Sequence, residues 1–309
     1  MNTAPDRKFK TSKLRFISHL VRESLFTPMR GGQHMPLPTG PDEIGITWIG
    51  HSSFLIEIAG KRILVDPVFA SYLVVLKRRR KPGVRLRDVP PIDLVLLTHA
   101  HMDHLNLPSL GGIVRINRRH GAPAPVAIVP KGVQDLVGKF GFREVRALEP
   151  WASTTLGSLT ITMTPGRHWG ARMFNDTERG FGGYVVESGG RSVYHSGDTA
   201  YFPGFAAIGQ RLHPEIALLP IGAYFPDSFR SVHTSPEDAL QAFHDLRAQI
   251  MIPMHYGTFR LSLEPMEEPP KRLLTAAISA GVADRISLLE EGRTQLFPPR
   301  AASNEAAAS

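Results

Sequence analysis

Cysteine is absent from this chain. Disulfides and thiolate metal sites are therefore excluded, and any metal must be held by His, Asp or Glu. Long apolar runs are absent too: none approaches the ~20 residues needed to span a bilayer. The N-terminus lacks the continuous apolar core of a signal peptide, so a cytoplasmic location is expected. Acidic residues are in the minority, 28 against 36 Lys and Arg, for a formal net charge of +8. No internal repeat is evident. What is present suits a globular protein: 309 residues, 42% hydrophobic and 21% charged, enough to bury a sizeable core.

The positive charge is uneven. Residues 1–40 carry Arg7, Lys8, Lys10, Lys13, Arg15, Arg22 and Arg30 against Asp6 and Glu23. A second block runs Lys77-Arg78-Arg79-Arg80-Lys81, followed by Arg85 and Arg87. Basic clusters favour anionic partners such as phosphates, lipid headgroups or nucleic acid; a solvated basic surface explains them equally well. Over residues 13–26, Leu14, Ile17, Val21 and Leu25 recur at spacings of three and four, the pattern of an amphipathic helix. Such a helix packs on its own domain or lies on an anionic membrane surface. The Pro- and Gly-rich stretch from Thr27 to Asp42 reads as a linker or extended arm. The expected organisation is a basic helix and arm over 1–40, one domain over 41–298, and a disordered tail over 299–309.

From Ile44 onward the pattern is one of strands. Residues 46–49, 53–58 and 62–65 are short, β-branched and separated by Gly-containing turns. Further strands are expected over 94–97, 127–130, 159–164, 183–187, 192–195, 216–220 and 250–254, with a helix over 132–139. Another helix starts after Ser235, where Pro236 suits the first turn and Asp238 completes a capping-box spacing. Strands come first as a meander and then alternate with helices, which points to α+β or mixed α/β layers in one domain.

The segment Thr98-His99-Ala100-His101-Met102-Asp103-His104 stands apart. Three imidazoles and a carboxylate crowd the point where an apolar strand must turn. This ligand set suits zinc and its borderline relatives. Three other expected strands also end near a potential ligand: His168, Asp198 and His255. Seven ligands at four strand ends suit two metal ions, and the reaction such a site performs is metal-assisted hydrolysis. Manganese and iron accept the same ligands as zinc.

His99-Ala100-His101-Met102-Asp103-His104 resembles the HxHxDH signature of metallo-β-lactamase-fold hydrolases. The later segments Gly166-Arg167-His168-Trp169, Ser196-Gly197-Asp198-Thr199-Ala200-Tyr201, Pro220-Ile221-Gly222-Ala223-Tyr224, His233-Thr234-Ser235-Pro236 and His255-Tyr256-Gly257-Thr258-Phe259 resemble the N-acylphosphatidylethanolamine-hydrolysing phospholipase D branch. The resemblance spans roughly residues 41–275. It implies an αβ/βα four-layer sandwich, two facing mixed sheets flanked by helices. It places His99, His101 and His168 on one zinc, Asp103, His104 and His255 on the second, and Asp198 between them. It implies a metal-bridging hydroxide as nucleophile, with Asp103 or Asp198 accepting the proton of water. His233 matches a residue near the substrate headgroup, where it binds a phosphate oxygen or donates to the leaving group. Val232 departs from the polar residue expected beside it.

Around this set, His51 is expected to orient Asp66 or a ligand, and Asp66 to hydrogen-bond the His cluster. Plain turn roles explain both residues as well. Tyr224, with Phe225 and Phe229, is expected either to wall a substrate pocket or simply to pack. The substrate implied is a phospholipid-like phosphodiester with an anionic phosphate, reached by peripheral contact at the inner membrane surface. Two alternatives stand beside it: a lactone hydrolase of the same fold, and a nucleic-acid-processing metallohydrolase. The second is weakened by the lack of any visible inserted substrate-binding domain.

Overall fold

The computed structural model describes residues 27–172 and 176–299, together with Ser18, Val21 and Arg22. The helix expected over 13–26 lies outside the described residues apart from those last three, and the expected tail lies outside them from residue 300 onward.

The first half of the chain lays down β1 (Ile44–Gly50), β2 (Ser53–Ile58) and β3 (Lys61–Val65). A small hairpin of β4 (Tyr72–Leu73) and β5 (Leu76–Lys77) follows. Then come β6 (Leu94–Leu96), helix α1 (Leu107–Arg119), β7 (Val126–Pro130), the short helix α2 (Gln134–Val137) and β8 (Glu144–Leu148). The second half gives β9 (Ser153–Leu156), β10 (Leu159–Thr164), β11 (Gly183–Ser188), β12 (Arg191–His195) and α3 (Gly204–Leu212). It ends with β13 (Ile216–Pro220), α4 (Pro236–Leu246), β14 (Ile250–Met254), α5 (Glu268–Ser279) and β15 (Thr294–Phe297).

Two sheets result. One has the order β15-β1-β2-β3-β6-β7-β8 and the other β14-β13-β12-β11-β10-β9. Both are mixed: antiparallel hairpins form one part, while β3-β6-β7-β8 and β12-β13-β14 run parallel. Side chains alternate across each strand. Ile46, Trp48, Phe54, Ile56 and Val65 of the first sheet therefore face Ile161, Tyr184, Val193, Leu218 and Ile252 of the second. The opposite faces are covered by helices. Leu55, Leu64 and Val95 pack under Leu110, Ile113 and Ile116 of α1. Tyr194, Ala217, Leu219 and Met251 pack under Phe205 and Ile208 of α3, Ala239 and Phe243 of α4, and Leu273 of α5. This is the expected αβ/βα four-layer sandwich. Coverage on both faces explains why β13 reads as the unbroken apolar run Ile-Ala-Leu-Leu-Pro rather than an alternation.

Local signals are borne out in part. The Ser235 capping box forms both of its bonds, Asp238 N to Ser235 Oγ and Ser235 N to Asp238 Oδ2, each 3.2 Å. The helix expected over 132–139 is shorter: α2 spans four residues and passes into a single 3₁₀ turn. The described end of the N-terminal arm is extended and docked. Arg30 N donates to Arg79 O at 2.9 Å, His34 N to Gly83 O at 2.7 Å, and Leu37 N to Thr294 Oγ1 of β15 at 2.9 Å. Among the described residues, no helix is long and apolar enough to cross a membrane.

The parallel strands end on one side of the sandwich. Ligand sites form where such strands release the chain into turns. Asp66 follows β3, His99 follows the strand end at β6, Asp198 follows β12, and His255 follows β14.

Candidate metal centre

The seven expected ligands come together. His99, His101 and His168 offer ligand atoms within 4.8 Å of one another, as do His99, His104 and Asp198. His51, Asp103, His104 and His255 form another such group, and Asp198, His233 and His255 a fourth. The groups share members, so they make one continuous cluster.

The first part is an imidazole triad. His101 Nδ1 lies 2.9 Å from His99 Nε2 and 3.2 Å from His168 Nε2. The outward nitrogens of the two partners are committed elsewhere. His168 Nδ1 donates to the Val232 carbonyl at 2.8 Å, and His99 Nδ1 lies 3.0 Å from Thr98 Oγ1. Each Nε2 is thereby left with its lone pair aimed inward, the tautomer a metal requires. Burial keeps both rings from protonating: it holds His99 well below the ordinary imidazole range and His168 at about 4.

The second part is organised by Asp198. Its Oδ1 lies 3.2 Å from His104 Nε2 and its Oδ2 lies 3.0 Å from His255 Nε2. Neither contact is aligned as a hydrogen bond: His104 Nε2, His255 Nε2 and Asp198 Oδ1 are all buried without a hydrogen-bond partner. Close, unaligned donor atoms are what ligands around a common ion look like. Asp103 Oδ2 completes the group at 3.8 Å from His104 Nε2 and 3.7 Å from His255 Nε2. The residues present therefore fit a metal pair with nitrogen and oxygen ligands. Burial opposes ionisation of Asp198, but His104 and His255 hold its carboxyl well below the usual range. Burial likewise opposes protonation of those two imidazoles, but Asp198 and its neighbours raise His104 well above its ordinary value and His255 to about 9.

The turns that carry these groups are tightly wound. His51, Asp66 and His255 have φ of 56°, 43° and 60°, left-handed values uncommon for residues with a Cβ. Backbone strain of this kind concentrates at functional sites. Gly197, just before Asp198, has φ of 64°, and a Cβ there would lie 2.8 Å from Thr98 Cβ and 2.9 Å from Gly182 O. His195 braces the same turn, accepting from Gly197 N at 3.1 Å while its Nε2 lies 2.9 Å from Ser52 O.

The supporting residues are more specific than the sequence implies. Asp66 accepts from Thr98 N at 2.8 Å and Thr98 Oγ1 at 2.6 Å, and its Oδ2 lies 2.6 Å from His104 Nδ1. His51 reaches Asp103 rather than Asp66, with Nε2 3.0 Å from Asp103 Oδ2, and its ring lies 4.1 Å from that of His255. His233 stands at the rim, its ring 5.2 Å from His168 and 5.3 Å from His255, and its Nδ1 3.7 Å from Asp198 Oδ2. Burial lowers it to about 3, so it is a neutral imidazole.

Of the two readings of Tyr224, its surroundings favour packing. Its ring is buried, its hydroxyl donates to Glu268 Oε1 at 2.7 Å, and Arg272 lies 4.8 Å over its face. Its polar and apolar surfaces are consumed by α5, so it packs rather than meeting a substrate. Three contributors are not expected from the sequence. Thr98 links His99 to Asp66. Arg172 Nη1 donates to the carbonyls of Ala100 and Leu105 and so straps the His segment. Trp169, 47% exposed, lies 4.4 Å from His101 at the mouth of the cluster. Adjacency to a ligand in the sequence is the available signal for Thr98 and Trp169; none marks Arg172.

Residues 61–256 match the model of the beta-lactamase superfamily domain. An uncharacterized protein of Mycobacterium tuberculosis is 34% identical over 248 residues, covering 76% of this chain and 64% of the relative. The mitochondrial N-acyl-phosphatidylethanolamine-hydrolyzing phospholipase D of Saccharomyces cerevisiae is 32% identical over 265 residues, covering 81% and 55%. A UPF0173 metal-dependent hydrolase of Methanopyrus kandleri is 33% identical over 257 residues, covering 81% and 98%. The chain thus spans under two thirds of the mycobacterial and yeast relatives and nearly all of the archaeal one. Among solved structures, a metallo hydrolase from Ignicoccus hospitalis superposes with a TM-score of 0.61 at 27% identity, covering 84% of this chain and all of the other. Matched in sequence over most of its two sheets and in fold by a metallo hydrolase, this chain belongs to the beta-lactamase superfamily.

Proposed function

We propose that this protein is a dinuclear metallohydrolase, a phosphodiesterase of phospholipase D type acting on N-acyl phosphatidylethanolamine-like lipids. The observation that carries the hydrolase reading is Asp198, whose two oxygens face His104 on one side and His255 on the other. Asp198 also shares a ligand group with His99, so one carboxylate joins both halves of the cluster. His99, His101 and His168 would hold one ion, and Asp103, His104 and His255 the other, with Asp198 common to both. Zinc suits this donor set, and manganese or iron accept it. Bound divalent ions supply Lewis acidity and activate a water at neutral pH.

The chain's own residues do the rest. Asp103 and Asp198 are ionised, and one of them accepts the proton released from water. The water oxygen bonds to phosphorus as the bond from phosphorus to the ethanolamine oxygen breaks, and the proton passes to that leaving oxygen. His233 is neutral and at the rim, which suits a hydrogen bond to a phosphate oxygen better than the role of a standing acid. Likeness to the yeast phospholipase D supports the substrate class. The test is hydrolysis of detergent-dispersed N-acyl phosphatidylethanolamine by zinc- or manganese-loaded protein. Release of N-acylethanolamine and phosphatidic acid, lost on chelation, is expected. Turnover of lactones with no phosphodiester cleavage would overturn the reading.

A further inference from the structure

The β4–β5 hairpin belongs to neither large sheet. Tyr72 pairs with Lys77 and Leu73 with Leu76, leaving Val74 and Val75 as the two turn residues. Two-residue hairpin turns favour Asn and Gly, which tolerate positive φ. Here Val74 has φ of 54°, costly for a β-branched residue. Val74 is 74% exposed, Val75 50% and Tyr72 48%. The turn thus holds two apolar side chains in water, one of them on strained backbone, where they add nothing to the core. A local rule broken without a structural gain points to function.

The base of the hairpin is tied to the metal cluster. Leu73 packs with Val68 and Phe259, and the Phe259 ring lies 5.4 Å from that of His51, the partner of Asp103. Phe69 N donates to Ser109 Oγ at the start of α1, just past the His segment.

The chain around the tip is strongly basic. No Asp or Glu occurs between Asp66 and Asp88, while Lys77, Arg78, Arg79, Arg80, Lys81, Arg85 and Arg87 do. Arg78, Arg80 and Arg85 among these have partners within the fold, Arg85 being paired with Asp88. Arg78 is buried and donates to the carbonyls of Val68 at 2.7 Å and Arg80 at 2.8 Å, and Arg80 pairs with Glu291 at 2.8 Å. Beyond them Lys81 is exposed. An apolar tip on a stretch of chain with net positive charge matches an anionic bilayer, where apolar groups enter the acyl boundary and cations stay among the headgroups.

We propose that the β4–β5 hairpin docks the protein on an anionic lipid surface, with Tyr72, Val74 and Val75 in the bilayer interface and Lys81 on the headgroups. Docking there brings the metal cluster beside the lipid layer. The inference extends the lipid reading of the site, so binding and hydrolysis are measured separately.

The test is co-sedimentation of the full chain with phosphatidylcholine vesicles containing phosphatidylglycerol. Binding is expected that weakens with salt and on vesicles of phosphatidylcholine alone. The double variant Val74→Asp/Val75→Asp should lower partitioning at least about tenfold, and Lys81→Glu severalfold, with circular dichroism and hydrolysis of a water-soluble phosphodiester unchanged. Failure of the wild type to sediment, or equal sedimentation of the double variant, overturns the proposal. So does a wild-type dimer that the double variant makes monomeric, since the tip would then be a contact between copies. A wild type that does not dock yet cleaves detergent-dispersed lipid refutes the docking alone; a wild type that docks but cleaves no lipid refutes the substrate reading alone.

Discussion

Asp66 Oδ2 lies 2.6 Å from His104 Nδ1, and neither side chain has any exposure to solvent. Asp66 directly follows β3, and His104 lies in the turn that comes after β6, the parallel neighbour of β3 in one sheet. Asp66 also accepts both the backbone N–H and the hydroxyl of Thr98. With its Nδ1 committed, His104 can only present Nε2 to Asp198.

Asp66→Asn should therefore loosen one ion without unfolding the protein. The amide has a single acceptor oxygen: with its NH₂ at the Oδ2 position, Thr98 Oγ1 and His104 Nδ1 both face a donor, and with the amide turned round Thr98 N does. Loss of such an orienting partner typically weakens metal binding about 10–100-fold. Metal content should fall from two ions per chain toward one under competing chelator, with circular dichroism unchanged. Undiminished affinity for both ions would show that Asp66 does not orient His104.

Val232 stands where the resemblance leads one to expect a polar side chain. In the fold this position acts through its backbone instead, since its carbonyl takes the Nδ1 proton of His168. Val232→Ala should leave metal content and kcat/KM as they are, because the carbonyl remains. His168→Ala should cost one ion and nearly all activity. A strong loss of metal in Val232→Ala would transfer the role to the side chain.

The cluster is legible because its ligands sit just beyond apolar runs that read as strands, and a buried strand end is a defined place. What the sequence hides lies across long separations. His51 meets Asp103 52 positions on, and β15 pairs with β1 through Ile44 and Phe297. Helix α1 gives a weak signal because Gly111 and Gly112 interrupt its middle, where glycine lowers helix propensity. The close approach of Leu86 explains the second of these: a Cβ at Gly112 would lie 2.5 Å from Leu86 Cδ2. Tyr224 reads ambiguously since its partner, Glu268, lies 44 residues away on a helix with no clear mark in the sequence.

Metal uptake should release protons. In the metal-free protein His255 is raised to about 9 and His104 well above its ordinary value, so both are imidazolium at pH 7. Metal ligation needs neutral imidazole. Uptake must therefore expel these protons, and affinity should climb as pH rises toward about 9. His99 and His168 contribute none, since burial already keeps them neutral. Zinc titration calorimetry at pH 7 in buffers of different ionisation enthalpy measures the number released. A value near zero would contradict ligation through His104 and His255.

Gly222 offers a test of how finely His255 is placed. Ile221 N donates to Met254 O at 3.0 Å, which holds the ends of β13 and β14 together. A Cβ at Gly222 would lie 2.2 Å from the His255 carbonyl oxygen, and backbone must move to admit it. Gly222→Ala should cost roughly 1–3 kcal/mol of stability, as overpacking does. It should also draw His255 Nε2 away from Asp198 and lose the thermal stabilisation that zinc confers. Gly189→Ala is the control. Gly189 has φ of 56° with nothing within 4 Å of a Cβ, so alanine is strained there but far from any ligand. Its melting temperature should fall by a comparable amount while the zinc-dependent increment stays intact. Equal loss of the increment in both variants would mean that general destabilisation, not displacement of His255, sets metal affinity.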